Sequence, residues 1–75
     1  MAGQDDWRAA AFEVYRAGWL ELEQWKGRQA KDVEYYLEEL KEALLDLKQA
    51  TLAEDAARAL DYMSEIRLIL AELDR

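Results

Sequence analysis

The chain has 75 residues, 17 of them acidic and 10 basic, for a net charge of -7; it contains no histidine, cysteine or proline. Disulfides, thiolate metal sites and imidazole-based triads or zinc sites are thereby excluded. A charge of this sign opposes binding to phosphate backbones or anionic lipid, and a domain this small has about 3 to 5 kcal/mol of net stability from its own core, so burial against a partner would help it.

In chain order, Met1-Ala2-Gly3-Gln4-Asp5-Asp6 lacks the basic start and apolar run of a secretory signal, and no stretch approaches the roughly 18 uninterrupted apolar residues of a membrane span. A soluble, cytoplasmic protein is expected. Asp5 or Asp6 is placed to cap a first helix that carries Trp7, Ala11, Val14, Gly18, Leu22 and Trp25 at alternating steps of three and four, the spacing of one buried seam. Gly27, just past Lys26, is a stop signal, so this helix is expected over about residues 6–26.

Phe12, Tyr15 and Trp19 form an aromatic flank about 80 to 140° around the wheel from Trp7 and widen the apolar arc to nearly half the circumference. In a three-helix bundle each helix touches two neighbours, so part of this flank can serve the core and the remainder a second chain. Trp25-Lys26-Gly27 resembles the Trp-x-Gly turn of small helical hairpins that dimerise and are exported by type VII systems, a likeness carried by those three residues alone.

The second helix begins between Gln29 and Asp32 and runs to about Ala50, with Val33, Leu37, Leu40, Leu44 and Leu47 as its seam and Tyr36, Ala43 and Ala50 widening it. Continuing the first helix's phase through Gly27 brings Val33, Leu37 and Leu40 onto nearly the same face, so a competing architecture exists. In it a single helix over about residues 6–50 folds against the third helix and dimerises. The Lys26/Arg28/Lys31 cluster, which suits the carbonyl end of one helix, and Asp32, which suits the start of the next, favour the break.

Thr51-Leu52-Ala53-Glu54 reads as a capping box, with the threonine hydroxyl accepting from the Glu54 N–H, and puts the start of a third helix at about residue 52. That helix continues to about residue 74 through Ala56, Ala59, Met63, Ile66, Leu70 and Leu73, with Arg75 against the negative end of its dipole. The fold class expected is all-α: one domain, a three-helix up-down-up bundle with coiled-coil-like packing.

Chemistry is left to carboxylates. Glu38-Glu39-Leu40-Lys41-Glu42 followed by Asp61 resembles the EExxE and later ExxD of the all-α MazG-type nucleotide pyrophosphohydrolases, a likeness that implies magnesium-assisted release of pyrophosphate. The glutamate expected three residues before Asp61 is Arg58, a cation in a ligand's place. Glu38, Glu42 and Asp46 also lie about 140 to 220° from Val33, opposite the seam, where a solvated face is expected. Ser64 sits mid-helix without the Asp-Ser-Leu attachment motif of acyl carrier proteins.

The reading that follows is of a non-enzymatic protein–protein interaction module without a cofactor, self-associating or part of a larger complex. Phe12, Tyr15 and Trp19 would give the apolar contact and Glu38, Glu42 and Asp46 the complementary charge. Neither nucleic acid nor membrane is expected as partner. An acidic inhibitor that imitates nucleic acid is the alternative within binding. Tyr35, Leu45 and Leu68 fall outside their stripes and read as scattered apolar surface.

Overall fold

The computed structural model describes residues 6–28 and 30–74. Three α-helices follow one another: α1 (Asp6–Trp25), α2 (Glu34–Leu52), which is entered through one 3₁₀ turn (Lys31–Val33), and α3 (Ala56–Leu73). The described residues contain no strand, and none of their helices is long and apolar enough to cross a membrane. Each helix packs on both others, α2 with α3 most extensively, giving the three-helix bundle expected from the heptads.

The core consists of the seams. Leu40, Leu44, Leu47, Met63 and Ile66 are fully buried; Ala11, Val14, Ala43, Ala50, Ala59, Ile69 and Leu73 complete the enclosed set, which holds no polar or charged side chain among the described residues. Trp7, Leu22, Trp25, Tyr36 and Leu37 close over it half-buried. The middle of α1 approaches α2 through Gly18, where a Cβ would lie 2.5 Å from Leu44 Cδ2. The absence of a side chain there lets the two backbones come close enough for Leu44 to be covered.

The single long helix is ruled out. Gly27 takes φ +83°, and the Arg28 N–H donates to the Trp25 carbonyl at 3.1 Å, closing a turn that an L side chain would strain. The basic cluster beside it acts less on the helix end than expected, since no cation lies in the last turn of α1 and Arg28 instead stacks over Trp25 with its guanidinium 5.2 Å from the ring centroid. The Trp25 indole N–H donates to Glu21. Helix α2 starts without a side-chain cap, after the 3₁₀ turn that carries Asp32. Gln29, Asp5 and Arg75, named above for helix ends, lie outside the described residues.

The second turn corrects the capping-box reading. The Thr51 hydroxyl donates back to the Leu47 carbonyl at 2.8 Å, so α2 runs on to Leu52, two residues past its expected end, and α3 begins at Ala56 rather than at residue 52. Glu54 occupies the left-handed region at φ 58°; its N–H bonds the Thr51 carbonyl and the Asp55 N–H bonds the Ala50 carbonyl, the two crossed bonds of a Schellman ending. Asp55 then caps α3, its carboxylate accepting from the Arg58 N–H at 3.2 Å. Thr51 is therefore spent on one helix, and the aspartate four residues later opens the next.

Candidate interaction surface

Along α1, Arg8, Phe12, Tyr15 and Trp19 stand at i, i+4, i+7 and i+11, a spacing that aligns side chains in one row on a helix. The row divides by depth. Tyr15 and Trp19 are half-buried, pack on the core and meet edge to face with ring centroids 6.0 Å apart, whereas Phe12 is 67 % exposed. The aromatic flank is thus two parts interior and one part surface. The Trp19 indole Nε1 is buried without a hydrogen-bond acceptor, which sets a cost against its packing of about 1 to 3 kcal/mol.

The antiparallel neighbour repeats the pattern. Lys41, Leu45, Lys48 and Leu52 stand at the same i, i+4, i+7, i+11 spacing on α2, with Leu45 and Leu52 45 % and 71 % exposed. Where the two rows meet, a groove of about 210 Å³ opens over Ala11 and Leu47, with Phe12, Tyr15 and Leu52 as apolar walls and Arg8 and Lys48 at its rim. Neither row contains a carboxylate. Glu54, in the turn after α2, forms an ion pair with Arg8 and so also ties the start of α1 to the α2–α3 turn.

On its other side α2 makes a groove of opposite character. Asp46, Gln49, Ala50, Asp55, Arg58 and Tyr62 line it, and Arg58 pairs with Asp55 at 3.7 Å. Glu38, Glu42 and Asp46 are all exposed, but the only one of them at either groove is Asp46, in this polar one. Of the expected site residues, Phe12 and Tyr15 line the apolar groove and Asp46 the polar one, while Trp19, Glu38 and Glu42 line neither. Among the described residues no three carboxylates come together as a metal-ion cluster, and Glu38, Glu42 and Asp61 of the pyrophosphohydrolase-like pattern are exposed.

Lys48 and Leu52, at the groove, are additions to the expected set, with Lys41 and Leu45 in line with them along α2. The shared spacing is visible in the sequence, yet Leu45 taken alone looks stray and Leu52 belongs to α2 only because the helix overruns the apparent capping box. Tyr35 and Leu68 are 68 % and 70 % exposed, Tyr35 leaning edge to face on Tyr36. Comparison with protein-family models, with curated proteins and with solved structures finds no match to this chain.

Proposed function

We propose that the chain is a small protein–protein interaction module of the cytoplasm, without cofactor or catalytic role, whose contact surface is the α1–α2 face. The observation that carries the reading is the placement of Phe12 and Leu52, 67 % and 71 % exposed, on opposite walls of one apolar groove. Isolated exposed apolar residues are ordinary, but large ones converging on a groove offer a partner a ready pocket for its own side chains. A domain this small also gains from being covered.

Affinity capture with two baits tests it. Wild-type chain should retain a protein that the Phe12→Ser/Leu52→Ser chain does not, with both baits equally helical by circular dichroism. Identical retention by the two would remove the groove from the function.

A further inference from the structure

The net charge of -7 points to a basic partner, but the apolar face does not share the sign of the whole molecule. Its two rows carry three cations, Arg8, Lys41 and Lys48, and no acid; Arg16, one turn beyond Phe12, adds a fourth at the outer edge. Of these only Arg8 has an ion-pair partner among the described residues, Glu54, and Lys41, Lys48 and Arg16 are exposed. Carboxylates stand near both rows, Glu38 and Glu42 within a turn of Lys41 and Leu45, and Glu13 and Glu23 on α1, but the lining of the groove itself holds none. Its charged side chains are Arg8 and Lys48, a basic rim around apolar walls.

We infer that the α1–α2 groove receives an acidic amphipathic helix from another protein, laid along the groove as the fourth helix of a bundle. This rests on the interaction reading above and names its partner's chemistry. The groove runs from Arg8 to Tyr15 along α1, about 10 Å or two turns, and the rows carry on past it to Trp19 and Lys41 over about 16 Å in all, the length of three turns of an incoming helix with apolar anchors at i, i+4, i+7 and i+11. Carboxylates flanking those anchors meet Lys41 and Lys48 on one side and Arg16 on the other, Arg8 being already paired with Glu54. A second copy is the poorer occupant, because two copies joined face to face through this groove would bring the same cations against one another.

The test uses two synthetic helical peptides of about 15 residues with leucine at the four anchor positions, one with glutamate at every flanking position and one with lysine. Fluorescence anisotropy against the full chain should show the glutamate peptide bound about tenfold more tightly, what three exposed ion pairs together provide, with the advantage shrinking as salt rises. Lys41→Glu/Lys48→Glu, both at exposed positions, should reverse the preference, and Phe12→Ser should weaken both peptides.

Equal or tighter binding of the lysine peptide, still sensitive to Phe12→Ser, overturns the acidic partner while leaving the interaction face standing. No binding of either peptide at about 1 mM overturns the groove as a helix-docking site altogether. Sedimentation of the chain alone decides the remaining occupant, since a dimer dissociated by Phe12→Ser would seat a second copy there and overturn the proposal.

Discussion

The two flanks of α2 are built from the same alphabet and finished differently. Toward α3, Ala50 is sealed, and the groove beside it is lined by Asp46, Asp55, Arg58 and Tyr62, side chains content in water. Toward α1, Leu44 is sealed against Gly18, but farther along Phe12 and Leu52 stay in solvent over Ala11 and Leu47, between Arg8 and Lys48. A leucine on the sealed side is there for the fold; a leucine on the open side adds little to it and is available to something else. Depth, and not residue type, separates the two roles.

That contrast can be broken or sharpened by substitution. The largest effect belongs to the closed seam: Leu44→Ala, at a fully buried site, should cost about 2 to 5 kcal/mol, enough to unfold most of a chain with so little to spare, and urea denaturation should find no folded baseline or a sharply lowered midpoint. A mild shift instead would mean that the bundle collapses around the gap and that the seam is not close-packed. Next comes the contact under the open side, where Gly18→Ala gains about 1 kcal/mol of helix propensity but drives a methyl into an enclosed leucine, an overpacking cost of about 1 to 3 kcal/mol. The net should be a loss of about 1 kcal/mol, seen as a Tm lower by several degrees in a thermal melt.

The turns at either end of α2 give smaller and opposite changes. Gly27→Ala places a side chain at φ +83° and should cost about 1 kcal/mol, although nothing stands within 4 Å of the new Cβ. Glu54→Gly relieves the same backbone region at φ 58° and should gain about 0.5 kcal/mol even after loss of the exposed Arg8 ion pair. Melts of the two variants beside wild type should therefore move in opposite directions; movement in the same direction would show that backbone conformation is not what the two turns have in common.

Most of the architecture is legible in the heptads, because burying a seam every three and four residues is the main demand where the described residues have only helices to pack. The break at Gly27 is legible as well, since glycine alone takes that turn without strain. The boundary between α2 and α3 misleads for a physical reason: Thr51 and Asp55 are both competent caps, and local pattern does not reveal that the threonine hydroxyl will bond backward to Leu47. Glu54 in the left-handed region carries no sequence mark at all. The candidate surface was half visible. Phe12 stands out by its phase, but Leu52 acquires meaning only once α1 lies antiparallel beside it, and Glu38, Glu42 and Asp46 do not line the groove that these two share.

The most direct measurement is the unfolding free energy of Phe12→Ser/Leu52→Ser in urea. Removing two large apolar side chains from positions 67 % and 71 % exposed should shift stability by no more than about 0.5 kcal/mol, with the denaturant slope unchanged. A loss of about 2 kcal/mol or more would mean that these residues belong to the core after all, and the idea of an apolar wall held in reserve for a partner would not survive it.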